Sequence, residues 1–121
     1  MTSPSPRRRV ALVSDADDAR AALADYLTSA GFEVHPCDDL AAPAAFAALV
    51  LIAGPGDSGD AVTGRVRSWM KQARHPRVVV VTSKPRALVD LVASHGDRLH
   101  VLPAPAFGWD VVDALRARSP A

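Results

Sequence analysis

The sequence predicts a doubly wound α/β domain: five parallel strands covered by helices on both faces. Three observations predict it. Strand-like and helix-like stretches alternate five times along the chain. Three of the strand-like stretches, residues 9–13 (RVALV), 48–53 (ALVLIA) and 78–81 (VVVV), are dominated by unbroken apolar residues rather than alternating ones. Such a run has no face to give to water, so it belongs in a sheet buried on both sides. The length of 121 residues is that of one domain, and 49% hydrophobic against 22% charged residues is the balance of an ordinary globular chain.

Residues 1–8 are rich in Ser, Pro and Arg and read as a flexible basic tail, with the domain over 9–118 and a tail or linker start at 119–121. The β-branched run 9–13 is a buried strand that ends at Ser14-Asp15. Over 16–30, Ala19, Leu23, Tyr26, Leu27 and Ala30 recur at helical spacing, and Gly31 stands where a left-handed residue stops a helix. Asp15, Asp17 and Asp18 lie at its start, where carboxylates cap free amides and suit the positive end of the dipole. A second strand follows at 32–36, then a weak helix over 38–47 disturbed by Pro43. Residues 48–53 are the third strand and 54–60 (GPGDSGD) a loop. The helix over 61–73 carries Val62, Val66, Trp69 and Met70 on one face. Residues 78–81 are the fourth strand, leading into Thr82-Ser83. The helix over 85–94 begins with a proline at an allowed first-turn position. Residues 99–102 are the fifth strand, followed by Pro103-Ala104-Pro105, and the last helix, 109–118, turns Trp109, Val112 and Leu115 inward. Right-handed crossovers leave few topologies, and the flavodoxin-like order 2-1-3-4-5 fits best. A site in such a sheet lies at the carboxyl ends of the strands, which here carry Ser14-Asp15, Ala53-Gly54, Thr82-Ser83 and residues 103–105.

Composition excludes several function classes. A net charge of +1 gives no whole-molecule field toward nucleic acid or an anionic membrane. The single cysteine, Cys37, rules out an internal disulfide framework and a multi-cysteine zinc site, and Asp38-Asp39 beside it disfavour a reactive thiolate. No apolar run reaches the ~18 residues of a spanning helix. The basic residues Arg7–Arg9 are not followed by a sustained apolar segment, so no signal peptide is read and a cytoplasmic location is expected. The Arg, Asp and Ala load, with Glu33 the sole glutamate, reads as the bias of a GC-rich bacterial genome. His35, His75, His95 and His100 are dispersed, without metal-ligand spacing. Asp57 reads as a turn residue, and the glycine-rich loop around it lacks the spacing and lysine of a phosphate cradle. Arg67, Lys71 and Arg74 form a basic stripe on one helical face, by default a solvated one. Trp69 and Trp109 read as core.

The segments VALVSDADDARAALADYLTSAGFEV, ALVLIAGPGDSG, VVVVTS and VLPAP together resemble the receiver domain of bacterial two-component response regulators, from about Arg9 to Arg118. The resemblance implies a definite chemistry: an aspartate ending the third strand accepts a phosphoryl group, an acidic pair after the first strand holds Mg²⁺, a Thr or Ser ends the fourth strand, and a lysine followed by proline ends the fifth. Bringing phosphoryl oxygens to a carboxylate needs that divalent cation and that lysine to offset the crowded negative charge. Here the acidic pair falls on Ser14 and Asp15, the acceptor on Ala53, the hydroxyl on Thr82, and the lysine on Ala104, with Pro105 after it. The aromatic switch of the fifth strand falls near Val101. The frame is kept and the chemistry is lost, so the resemblance implies a degenerate receiver, a pseudo-receiver, with no catalytic residue. No cofactor is expected. Asp15, with Asp17 or Asp18, is the weak candidate for a cation, against plain helix capping.

The function expected is therefore phosphorylation-independent signalling by protein–protein interaction, with no enzyme activity, no specific nucleic acid and no membrane. By the resemblance, the surface lies on 85–94, 99–102 and 109–118, through Leu88, Leu91, His100, Val101, Trp109, Val112 and Arg116. The partner is a protein, and a homodimer through that face is one form of it. Two alternatives remain open: the regulatory N-terminal domain of a longer transcription regulator or pilus-assembly-type ATPase, and an atypical receiver binding a small molecule at the carboxyl-end pocket.

Overall fold

The structure is a computed structural model that describes residues 9–14, 17–37, 46–53, 59–72, 77–96, 98–103 and 108–116. The elements run β1 (Arg9–Ser14), α1 (Asp17–Ser29), β2 (Glu33–Cys37), β3 (Ala48–Ile52), α2 (Gly59–Gln72), β4 (Arg77–Thr82), a 3₁₀ turn (Pro85–Leu88) running into α3 (Val89–His95), β5 (Leu99–Pro103) and α4 (Gly108–Arg116). The strands form one sheet in the order β2-β1-β3-β4-β5, with every neighbouring pair parallel. This is the doubly wound topology expected from the apolar runs.

Strand alternation divides the interior into two layers. Ala11, Val13, Leu49, Leu51, Val78 and Val80 face one side, where α2, the 3₁₀ turn and α3 cover them with Val66, Trp69, Met70 and Leu88. Val10, Leu12, Val50, Val79 and Val81 face the other, covered by Leu27 of α1 and by Val111, Val112 and Leu115 of α4. Each fully buried Val or Leu contributes about 1.5–3 kcal/mol, which is why both faces of the central strands are apolar. Gly31 closes α1 as expected, at φ 100°. The Phe32 amide donates to the Leu27 carbonyl and the Gly31 amide to that of Thr28, each at 3.1 Å. That pair of bonds satisfies the carbonyls left free at a helix end, and Phe32 and Leu27 share the same core.

Several expectations are corrected. Trp109 is 54% exposed and not inward. The buried residues of α4 are Val111, Val112, Ala114 and Leu115, and at 100° per residue Trp109 lies about 140° from the middle of that stripe. Tyr26 is also exposed, because the buried side of α1 centres on Leu27. The helix expected from Pro85 begins as a 3₁₀ turn, and α2 starts at Gly59, inside the expected loop. Of the weak helix over 38–47, residues 38–45 lie outside the described residues; Phe46 and Ala47 form a bend.

Candidate functional site

The carboxyl ends of β1, β3 and β4 lie side by side. Ser14 is in register with Ile52, and Ile52 with Val81. The Ala53 amide donates to the Val81 carbonyl at 2.8 Å, so Ala53 extends β3 by one residue. Its methyl points into the α2–α3 layer and is 9% exposed. Thr82 follows Val81 on β4 and alternates onto that same side, 3% exposed. Its Oγ1 accepts a hydrogen bond from the Lys84 amide at 3.0 Å. Ser14, 2% exposed, alternates to the opposite side, and its carbonyl accepts from the Arg20 guanidinium at 3.1 Å. Asp15, Asp57 and Ala104 lie outside the described residues. Among the described residues no three His, Cys, Asp or Glu side chains converge on a possible metal position.

The end of the central strand therefore carries a methyl group, and the end of the neighbouring strand a hydroxyl oxygen that accepts from a backbone amide. The turn that follows Thr82 is held from α2. Thr63 Oγ1 lies 2.7 Å from the Gly59 carbonyl and 3.1 Å from that of Ala87, so its hydroxyl reaches both the first turn of its own helix and the 3₁₀ turn. A Cβ at Gly59 would meet the Ala87 Cβ at 2.9 Å, so only glycine allows the first turn of α2 to sit this close.

The expected interaction face separates into interior and surface residues. Leu88, Leu91 and Val112 are buried, at 0%, 7% and 6% exposure, so they hold the face in place and cannot themselves touch a partner. His100 and Val101 are half-buried on β5. The His100 ring is bonded to the Arg77 guanidinium, Nε2 to Nη1, at 2.8 Å, and Arg77 also donates to the Ala114 carbonyl at 3.3 Å. Because a guanidinium only donates, Nε2 is the acceptor and the ring proton sits on Nδ1. Burial, and then the Arg77 charge, hold His100 below the ordinary imidazole value. Arg116 is exposed but engaged within the chain: it donates to the Ala30 carbonyl at 2.8 Å and lies 5.8 Å over the Phe32 ring. Val89 and Trp109 are the large apolar side chains that this face exposes.

At the opposite end of the sheet, His35 is tied into a surface cluster. Glu33 bonds the Arg9 guanidinium at 3.0 Å and the His35 ring at 2.8 Å, and Phe46 packs under Arg9 and edge-on to His35. The His35 hydrogen bond, more than the cations, holds the Glu33 carboxyl below its usual range. Cys37 is the last residue of β2. His75 and Arg74 lie outside the described residues.

No family model matches the chain, and no curated protein matches it. Solved structures do. Full-length FixJ from B. japonicum superposes with a TM-score of 0.66 at 18% identity, over 92% of this chain and 57% of that one. A response regulator from Burkholderia pseudomallei, with a phosphorylated aspartic acid, calcium and citrate, gives 0.70 at 19%, over 91% and 67%. An adenylate cyclase from Rhodopirellula baltica gives 0.66 at 19%, over 91% and 85%. The chain thus spans little more than half the length of FixJ. The architecture is that of response-regulator receiver domains, and the likeness is one of fold.

Proposed function

We propose that the chain is a receiver-like signalling module that works by protein–protein contact and takes no phosphoryl group. Ala53 carries this reading. A methyl group has no lone pair with which to form an acyl phosphate, and it stands at the end of the central strand, where the receiver acceptor belongs. The surroundings agree with it. The Thr82 hydroxyl oxygen accepts from the Lys84 amide, which fixes it to the turn after β4, and Thr63 braces the turn beyond. A signalling state set by these contacts needs no modification to select it. The partner surface we assign to α3, β5 and α4, with Val89 and Trp109 as its exposed apolar members.

Incubation with acetyl phosphate and Mg²⁺, followed by intact mass measurement, tests the reading. The mass is expected to stay unchanged. A gain of one phosphoryl group that disappears in Asp57→Ala would overturn it. A second reading, regulation of an output region on a longer polypeptide, draws on the 57% of FixJ that the chain spans.

A further inference from the structure

The two helical layers carry opposite charge. On one side of the sheet, α1 and α4 hold five aspartates against Arg20 and Arg116, and both arginines donate to backbone carbonyls of the chain itself. The outward stripe of this layer shows Asp18 and Asp25 on α1 and Asp113 on α4, all exposed, and the same two helices expose Tyr26 and Trp109. The Tyr26 ring lies against Gly108, the residue before Trp109, whose missing side chain leaves room for it. On the other side, α2 carries Arg65, Arg67 and Lys71 against Asp60, with Arg67 and Lys71 exposed one turn apart.

We propose that these two faces fit each other between copies of the chain. The acidic, aromatic outer face of α1 and α4 receives the α2 face of a second copy. Arg67 and Lys71 would meet Asp25 and Asp113, and the arginine would lie over Trp109 or Tyr26. Arginine–aromatic stacking suits a surface that is both anionic and aromatic, and the chain already uses it twice internally, Arg9 on Phe46 and Arg116 on Phe32. Because the two faces differ and lie on opposite sides of the sheet, the contact is head-to-tail, and every open assembly keeps one unused face of each kind at its ends. It does not depend on the phosphoryl reading above.

Sedimentation velocity on the intact chain tests it with two charge-reversed variants, Arg67→Glu with Lys71→Glu, and Asp25→Lys with Asp113→Lys. The native chain is expected to gain weight-average mass with concentration at low ionic strength and to lose that gain at about 1 M salt, where screening reaches ~3 Å. Each variant alone should remain monomeric. Mixing them brings together one intact acidic face and one intact basic face, and the two reversed faces are again opposite in charge, so the mixture should recover association at low salt. Circular dichroism of each variant separates lost contact from lost fold, and milder neutral variants (Arg67→Gln, Asp25→Asn) replace any that unfold. A native chain monomeric throughout overturns the proposal. So does association that survives the α2 substitutions, or a salt-resistant dimer that only Val89→Asp breaks.

Discussion

The backbone around Ala53 is that of a strand end, with its amide bonded to the Val81 carbonyl. The methyl is absorbed into the α2–α3 core. The sequence already exposed this position, because an apolar run followed by Gly-Pro-Gly marks the strand end by itself. Gly108 is the opposite case. Nothing in the sequence distinguishes it from an ordinary loop glycine, yet a Cβ there would lie 2.7 Å from the Tyr26 ring. Gly108→Ala is expected to cost about 1–3 kcal/mol in urea unfolding, as overpacking does, and much of that loss should vanish in a Tyr26→Ala background. Equal losses in both backgrounds would show that the ring is not what the glycine makes room for.

Among the elements, α4 is attached through ionisable groups at two places. Arg77 reaches from the start of β4 to the Ala114 carbonyl and the His100 ring, and Arg116 ties the last turn to the end of α1. A protonated His100 would lose hydration through burial, and would also face the Arg77 guanidinium as a second cation. The folded chain therefore holds this proton less readily than the unfolded chain does. Above the ordinary imidazole range both states are neutral at His100. As the pH falls through that range toward the lowered folded value, the unfolded chain takes up the proton first and stability declines. Urea midpoints measured across this window should fall with pH, and His100→Gln should flatten the fall; an unchanged slope would remove His100 as its cause. Element identity was legible from the apolar runs, and Gly31 from its place after a periodic helix. The inward faces of α1 and α4 were less so. The spacing 109, 112, 115 and the spacing 112, 115 with 111 both satisfy a helical period, and only the packed sheet selects the second. Arg77 on His100 and Thr63 on Ala87 join residues 23 and 24 apart, a separation at which no local pattern operates.

At the scale of the whole molecule, one sheet separates two cores that share no side chain among the described residues. Leu49 sits in one and Leu115 in the other, both fully buried. Each truncated to alanine is expected to cost about 2–5 kcal/mol. Because the residues share no packing partner, the losses should add to within ~0.5 kcal/mol in the double variant, read from urea curves at constant slope. A larger coupling would mean that the sheet transmits strain from one layer to the other. The sheet also has borders. β2 and β5 are its outermost strands, and each carries a proline, Pro36 in register with Leu12 and Pro103 in register with Thr82. A proline has no amide hydrogen to offer, so a foreign strand sliding along either rim meets a gap in the ladder. The molecule is thereby guarded against the runaway stacking that leads to fibrils, and neighbours are directed to its helices.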